Sequence, residues 1–218
     1  MLAANPARPL ITHYDDAAGT RVELSVATLA NWAAKTANWL IEEHDLEPGD
    51  PVAVLLPPHW QTAGILLGAW WCGAAVTADR HGAAVTFVPP GESGTVVSLD
   101  PMGRDLGAPP VGGIDFIAEV RMYGDDFRAI TPIPGSTRAL GEYPVDEALA
   151  EAARRAKALG LTAESRVLST VDWTVPDGIL DGLLPVLSAR ASLVQVSNPD
   201  PDRLAAHEKT ERTTVTVP

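Results

Sequence analysis

A carboxylate, a guanidinium and an imidazole stand side by side in the segment Asp79-Arg80-His81. The segment follows an apolar run, and α/β sheets bind ligands at the carboxyl ends of their strands, so these side chains could contact a polar ligand. Gly82 comes next, and this composition is also typical of an exposed turn that contains an ion pair. The pattern favours the turn and leaves ligand binding as the alternative.

No other grouping in the sequence predicts metal binding or nucleophilic catalysis. The histidines are scattered and no two stand four residues apart on one helical face; they are His13, His44, His59, His81 and His207. The only cysteine, Cys72, has apolar neighbours, which favours a buried and unreactive thiol. No serine occurs in the G-x-S-x-G pattern of α/β hydrolases. We therefore predict no metal site and no catalytic residue.

Composition and charge exclude two classes of partner. The 218 residues include 16 basic and 28 acidic side chains, so the net charge of 16 − 28 = −12 repels a nucleic-acid backbone. The longest apolar stretch, 62–78, is interrupted by glycines and is shorter than the roughly 20 residues of a membrane-spanning helix. Residues 1–8 lack the pattern of a secretory leader, so we expect a cytoplasmic protein with no nucleic-acid or membrane partner.

Strands and helices alternate along most of the chain, which is typical of α/β proteins with parallel sheets. Apolar residues recur every three or four positions from Val26 to about His44 and indicate a helix, and the apolar run from Val52 to Leu56 indicates a buried strand. Further helices are predicted at 60–71, 144–160, 176–187 and 201–211, and further strands at 21–24, 74–78, 85–88, 95–99, 166–171, 191–196 and 213–217. This order predicts a layered α/β domain with mostly parallel sheets flanked by helices.

Residues 101–141 are interrupted by prolines and glycines, except for a short predicted helix at 114–123. We predict one α/β domain over residues 1–218, in which lobes of about 1–100 and 142–218 are joined by this ordered but irregular segment. Three tryptophans, at positions 60, 70 and 71, crowd one predicted helix. Their spacing favours core packing and leaves a homodimer interface as an alternative.

Two stretches contain motifs in an order that is similar to one protein family. From Glu23 to Val76, a predicted helix leads to the turn Pro48-Gly49-Asp50, a strand, an apolar helix and Gly73-Ala74. From Leu161 to Pro218, LTAESRVLST is followed by LLPVLSARA and a terminal VTVP. Both stretches resemble the adenylate-forming (AMP-binding, acyl-CoA synthetase-like) superfamily, and above all its truncated actinobacterial members. The resemblance implies the fold of the N-terminal half of an adenylate-forming enzyme.

The resemblance also implies where ligand-binding residues should fall. The family's phosphate-binding loop, which contains a lysine, corresponds to TPIPGSTRALGE at 131–142, a segment without lysine. A weak remnant of a cofactor-binding loop remains there as Gly135, Ser136, Thr137 and Arg138. The aromatic and histidine that line the family's acyl pocket correspond to residues 172–175, where the histidine is absent. Asp172 and Trp173 are the candidate substrate-binding residues at that position.

These departures imply that adenylation is lost. The family's adenine loop, ribose-binding aspartate and C-terminal lysine would follow Pro218, so we expect the chain to lack them, together with most of the transition-state stabilisation. We predict a catalytically inactive adenylate-forming-like protein that acts as a binding or interaction module, with a protein partner or as a homodimer, and that needs no cofactor. The alternative is a residual ATP-, AMP- or acyl-binding partial ligase that a partner chain completes.

Overall fold

The computed structural model of the chain describes residues 5–129 and 131–218. Residues 1–4 of the segment considered for a leader, and residue 130 of the irregular segment, lie outside the described residues. Tertiary contacts group the chain into a first unit of residues 1–27, 57–60 and 147–218 and a second unit of residues 28–56 and 61–146. Within the described part of the chain, no helix is long and apolar enough to cross a membrane.

Strands and helices alternate as the sequence predicts. The strands are β1 Pro9–Asp15, β2 Thr20–Ser25, β3 Pro51–Val54, β4 Ala75–Thr77, β5 Val85–Val88, β6 Thr95–Val96, β7 Ile114–Asp115, β8 Arg138–Leu140, β9 Tyr143–Pro144, β10 Arg166–Ser169, β11 Ser192–Ser197 and β12 Val215–Val217. The helices are α1 Val26–His44, α2 Trp60–Cys72, α3 Phe116–Val120, α4 Val145–Ala158, α5 Asp177–Gly182, α6 Leu184–Ser188 and α7 Pro201–Glu211.

The first unit is built on a five-stranded sheet with the order β12-β10-β11-β1-β2. Its strands run parallel except β2, which is antiparallel to β1. One face of this sheet packs Tyr14, Leu168, Val194 and Val196 against Leu204 of α7. Because successive strand residues point to opposite faces, the alternate residues of β1, β10 and β11 line the other face.

The second unit is built on a seven-stranded sheet with the order β7-β6-β5-β3-β4-β8-β9. All neighbouring strands are parallel except β8 and β9. The irregular segment adds β7, α3 and β8 to this unit, and Asp115 begins α3 by accepting hydrogen bonds from the backbone N–H groups of Ile117 and Ala118. The predicted α/β fold with mostly parallel sheets is therefore confirmed.

Several predicted elements have other limits in the structure, and two of these differences have a clear backbone feature. The helix predicted at 176–187 is divided into α5 and α6, because Pro185 has no N–H to donate to the carbonyl of Asp181. The strand predicted at 95–99 ends at Val96, and Leu99 adopts a left-handed backbone conformation with φ of 54°.

The sequence pattern does not predict β1, because Thr12 and His13 interrupt its apolar residues. Both side chains are buried in the sheet, where β1 pairs with β11 from Ile11 opposite Leu193 to Asp15 opposite Ser197. Residues 1–27 therefore belong with the C-terminal strands, whereas the predicted lobes place them with residues up to 100. That the whole chain behaves as one domain stays a prediction.

The tryptophans of α2 make contacts within the chain. Trp60 is buried, the indole N–H of Trp70 donates to the carbonyl of Ala139 at 2.9 Å, and the ring of Trp71 lies edge-on to Phe127. These contacts agree with the core-packing interpretation of the cluster. A homodimer that buries this helix stays a prediction.

Gly68 allows α2 to pack closely on α1, and its replacement by alanine should be destabilising. A Cβ at Gly68 would lie 2.6 Å from the backbone oxygen of Ala33 and 2.5 Å from Thr36 Cβ. Alanine gains about 1 kcal/mol of helix propensity. We still expect a net loss of about 2 kcal/mol in the free energy of unfolding, because overpacking against backbone cannot be relieved by a rotamer change.

Gly64→Ala is the matched control for this prediction, one turn earlier on the same helix. Its Cβ would meet Trp32 Cβ at 3.3 Å, a contact that a small shift can relieve. Urea denaturation should therefore find Gly64→Ala close to wild type and Gly68→Ala clearly weaker. Equal stability of the two variants would show that α1 and α2 are not packed this closely.

Candidate functional site

The predicted remnant of a phosphate loop is a closed turn in the second unit. The N–H of Thr137 donates to the carbonyl of Pro134 at 3.0 Å. The first residues of α4 are hydrogen-bonded to the same turn. The N–H groups of Val145 and Asp146 donate to the carbonyls of Thr137 and Gly135 at 2.9 and 3.0 Å, respectively. The backbone of this segment is therefore held by internal hydrogen bonds.

The charges around this turn are unfavourable for a phosphate. A Cβ at Gly135 would lie 2.1 to 2.3 Å from the carboxyl group of Asp146, so that carboxylate lies directly against the glycine. Arg138, the cation of the turn, lies 3.5 Å from the exposed carboxylate of Glu142. Ser136 is exposed to solvent. An anion at this position would meet a carboxylate at the glycine and a guanidinium that already faces another carboxylate.

The second pair of predicted residues lies in the first unit, after β10. The Asp172 residue is exposed. Its backbone carbonyl oxygen lies against Gly178, because a Cβ added at that glycine would be 2.0 Å from this oxygen. Trp173 is only 4% exposed, its indole nitrogen lies against Gly182, and it has no hydrogen-bond acceptor among the described residues. The two side chains thus point to different environments, and only Trp173 brings a buried polar atom.

A row of three buried polar side chains crosses the first unit's sheet near the carboxyl ends of its parallel strands. Ser169 of β10 pairs with Gln195 of β11, and Gln195 pairs with His13 of β1. Their exposed fractions are 0%, 1% and 3%. Polar side chains buried in an otherwise apolar sheet are costly unless they are hydrogen-bonded, so their contacts decide whether they are structural.

Hydrogen bonds fix the orientation of two members of this row. The hydroxyl of Ser197 uses its one hydrogen to donate to the carbonyl of Pro58 at 2.8 Å. Ser197 Oγ can therefore only accept in its contact of 2.9 Å with His13 Nε2, so Nε2 carries the proton of the imidazole. The amide nitrogen of Gln195 donates to the carbonyl of Val171 at 3.1 Å. His13 Nδ1 and Gln195 Oε1 are consequently acceptors, and within the described residues neither has a donor.

The imidazole of His13 is neutral at physiological pH. Burial lowers the pKa of His13 to about 4, and the nearby charge of Asp15 opposes that shift only in part. The ring of His59 lies edge-on to it at 4.7 Å. Nδ1 therefore presents a lone pair, not a proton, to the interior of the first unit.

A separate polar cluster on the opposite face of this sheet is fully hydrogen-bonded. Glu211 of α7 accepts hydrogen bonds from the hydroxyl of Tyr14 at 2.6 Å, from Arg21 Nε at 2.9 Å and from Arg166. Burial would raise the pKa of Glu211, but the hydrogen bonds from Arg21, Tyr14 and Arg166 lower it to about 2. The cluster joins α7 to β1, β2 and β10 and has the features of a structural ion-pair network.

The other residues that the sequence analysis considered for ligand or metal binding make contacts that stabilise the fold. Asp79 and His81 form an exposed turn in which the His81 N–H donates to Asp79 Oδ1 at 2.8 Å, and Arg80 pairs with Glu92, which agrees with the turn interpretation. His207 lies 2.8 Å from Asp16 Oδ1 in the first unit. Across residues 5–129 and 131–218, no three metal-ligating side chains are grouped to hold an ion.

The buried row is absent from the candidate residues that the sequence predicts, although two of its members have a recognisable signal. Gln195 and Ser169 are polar residues inside strands that are otherwise apolar and predicted to be buried. His13 belongs to β1, which the pattern does not predict. Its proximity to Gln195 is visible only in the sheet.

Comparison with known proteins identifies one closely similar sequence. No family model matches the chain. A protein of Mycobacterium tuberculosis (strain ATCC 25618 / H37Rv), described as "TIGR03089 family protein", is 46% identical over 229 residues, which cover 98% of this chain and 93% of that protein. Similarity at this level over nearly both full lengths reflects common descent.

Solved structures with this fold are acyl-CoA synthetases and related enzymes. The Brucella canis acyl-CoA synthetase matches 98% of the chain with a TM-score of 0.76 and 18% identity, and apo MatB from Rhodopseudomonas palustris matches 98% with a TM-score of 0.73 and 17% identity. The N-terminal domain of FACL13 from Mycobacterium tuberculosis matches 99% with a TM-score of 0.67. The chain spans 45%, 46% and 59% of these structures, respectively. The predicted fold of the N-terminal part of an adenylate-forming enzyme is confirmed.

Proposed function

The chain belongs to the TIGR03089 family, and from that premise we propose that it is a binding module of adenylate-forming fold that does not catalyse acid–thiol ligation by itself. The observation that carries this proposal is the turn at Gly135 to Arg138. A phosphate loop needs free backbone N–H groups and a mobile cation that neutralise developing charge. Here the turn is closed on α4, the Asp146 carboxylate lies against Gly135, and Arg138 faces Glu142.

A binding role is supported by the buried row in the first unit. An unsatisfied buried acceptor costs about 1 to 3 kcal/mol, so two such atoms in one row call for an explanation other than stability. They lie at the carboxyl ends of parallel strands, where open α/β sheets bind ligands. We place the protein in the cytoplasm as part of this proposal and expect it to act with a protein partner or a second copy, which light scattering would distinguish.

Pyrophosphate exchange is the direct test of the proposal. The folded protein, incubated with ATP, labelled pyrophosphate, magnesium and a panel of carboxylic acids, should give no exchange above the protein-free blank. Arg138→Ala should behave identically, because Arg138 has no phosphate to neutralise. Exchange above the blank with any acid, lost in Arg138→Ala, would contradict the proposal and assign the turn a catalytic role.

A second candidate function is a partial ligase that binds a nucleotide or acyl group and is completed by a partner chain. The observation that favours it is the match of this chain to 45% of an acyl-CoA synthetase, at a TM-score of 0.76. Calorimetric titration with ATP, AMP and an acyl-CoA distinguishes the two candidates. Saturable heat with a nucleotide or with the acyl-CoA would support the partial ligase, and the absence of heat with all three would support the binding module.

A further inference from the structure

The loop that leads into α3 forms an open groove on the second unit. A cavity of about 450 Å³ lies between residues 105–109, residues 113–115 and the exposed side of α3. A space of this size accommodates a small ligand or one or two side chains of a partner. Four of its lining residues have apolar side chains that are exposed or half-buried, namely Ala108, Pro109, Ile114 and Ala118. The described chain therefore leaves an apolar surface open to solvent here.

Hydrogen bonds hold this groove in shape. Asp115 Oδ2 accepts from the N–H of Leu106 at 2.8 Å, and Oδ1 of the same carboxylate caps the first turn of α3. Asp105 Oδ1 accepts from the N–H of Gly107 at 3.0 Å. One wall of the groove is thus tied to α3 on the other side, and an occupant does not have to order it on binding.

The three most exposed large apolar side chains of the described residues belong to the same segment. Val111 is 96% exposed and stands between two stretches that line the cavity. Met102 and Met122 are 76% and 85% exposed and adjoin Gly103 and Arg121, whose carbonyl and guanidinium are hydrogen-bonded to each other. Single exposed apolar residues are ordinary, but three beside one groove indicate a binding surface. We call the cavity and these three side chains the α3 groove.

The charge of the α3 groove is negative. Three carboxylates line the cavity, those of Asp105, Asp115 and Glu119, and no basic side chain lines it. Arg121 pairs with Asp105 at 3.1 Å, whereas the partner of Glu119 Oε2 is the neutral indole N–H of Trp39 at 3.1 Å. One guanidinium against three carboxylates leaves an excess of negative charge, which attracts a cationic occupant.

Three kinds of occupant can be compared with this surface. A second copy of the chain would bring the same carboxylates to a two-fold contact and carries the same net charge of −12, so it is repelled. A small amine would neutralise a carboxylate but leave Val111, Met102 and Met122 in water. A protein segment that combines basic and apolar side chains complements both the charge and the apolar surface.

We propose that the α3 groove docks a segment of a partner protein in which lysine or arginine stands beside large apolar residues. The aliphatic part of the basic side chain would lie along Ala108, Pro109 and Ala118, with its cation at Glu119. The apolar residues would cover Val111 and the two methionines. This inference rests on the proposed function, because it names the partner that the binding module takes. It concerns binding alone and requires no covalent step.

The two methionines of the α3 groove provide a direct probe. The protein is labelled with carbon-13 at its methionine methyl groups, and Met102→Leu and Met122→Leu assign the two signals. A short capped peptide that alternates lysine with leucine is added at physiological salt, which screens long-range attraction. We expect it to move both signals saturably. Peptides with glutamate in place of lysine, or serine in place of leucine, should bind at least about tenfold more weakly.

Two variants, each with a matched control outside the groove, test the contacts. Glu119→Gln removes the charge, keeps an acceptor for the indole, and should weaken the lysine–leucine peptide by about threefold, with Glu147→Gln as the control. Val111→Ser removes an exposed apolar group and should weaken it by about tenfold, with the exposed Leu149→Ser as the control. Both control variants should bind the peptide as the wild type does.

Five results would overturn this inference. Two are the absence of a saturable shift with the lysine–leucine peptide in the wild-type protein and an equal affinity for either altered peptide. The third is an equal affinity for butylamine, which would indicate a small-cation site. The fourth is a shift of both signals with protein concentration alone, which would indicate a second copy on this surface. The fifth is a loss of affinity in the control variants as large as in the groove variants. Pyrophosphate exchange tests the proposed function separately, so the two failures are distinguishable.

Discussion

Replacement of Glu211 by glutamine should lower the free energy of unfolding by about 3 kcal/mol, the order expected when one partner of a buried ion pair is removed. The Glu211 side chain is 5% exposed and accepts hydrogen bonds from Tyr14, Arg21 and Arg166. Glutamine retains an acceptor for Tyr14 but removes the negative charge. Arg166, whose side chain is 18% exposed, then keeps a desolvated positive charge without this carboxylate.

Urea denaturation followed by circular dichroism measures this effect. Glu147→Gln is the matched control, because Glu147 is an exposed carboxylate on α4 of the same unit and its loss should change stability by less than about 0.5 kcal/mol. Glu211 should also contribute to acid unfolding. Its pKa of about 2 lies below the ordinary value of 4.5, so its stabilisation is lost as pH falls between those values. A Glu211→Gln variant as stable as Glu147→Gln would show that α7 is not held by this cluster.

Acidification should destabilise the protein through His13 before the carboxylates titrate. The pKa of His13 is about 4 in the folded chain and 6.5 ordinarily, so only the unfolded state binds this proton between those values. Stability is complete above pH 6.5, falls as pH decreases toward 4, and falls no further below the folded pKa. The pKa difference between the folded and unfolded states corresponds to a loss of about 3 kcal/mol in the free energy of unfolding, since each pKa unit is worth about 1.4 kcal/mol.

The contribution of His13 is isolated by comparing variants over the same pH range. His13→Phe has no imidazole to protonate, so its free energy of unfolding should depend less on pH between 6.5 and 4 than that of the wild type. His81→Gln removes an exposed histidine and should keep the wild-type dependence. If His13→Phe and wild type lose the same free energy over this range, the imidazole is not buried as a neutral group.

Local elements were largely predictable because their signals are contained within a few residues. The three- and four-residue spacing of apolar side chains predicts α1 from Val26 to His44, and both limits are confirmed. The apolar run at Val85 to Val88, bounded by turn residues, predicts β5 with its observed limits. The motif order added the fold of the N-terminal half of an adenylate-forming enzyme, which the structural matches confirm.

The sequence also determined what the turn at Gly135 to Arg138 contains. It shows that no lysine is present, and it identifies Arg138 as the only cation between residues 131 and 142. It does not show that Asp146 folds back against Gly135. That contact depends on how α4 begins after β9, which is a property of the tertiary structure.

Only the strand pairing of the first unit's sheet brings the three residues of the buried row together. Local pattern could place Ser169 and Gln195 in strands, but β1 pairs with a strand from the opposite end of the chain. A local pattern carries no information about which distant strand is the neighbour, and an isolated histidine such as His13 is as compatible with the surface as with the core. By itself the sequence determined most of the elements, the net charge and the absence of a lysine from the turn at Gly135 to Arg138. The tertiary structure decided which polar side chains are buried without partners, because burial and strand pairing depend on contacts between residues far apart in the chain.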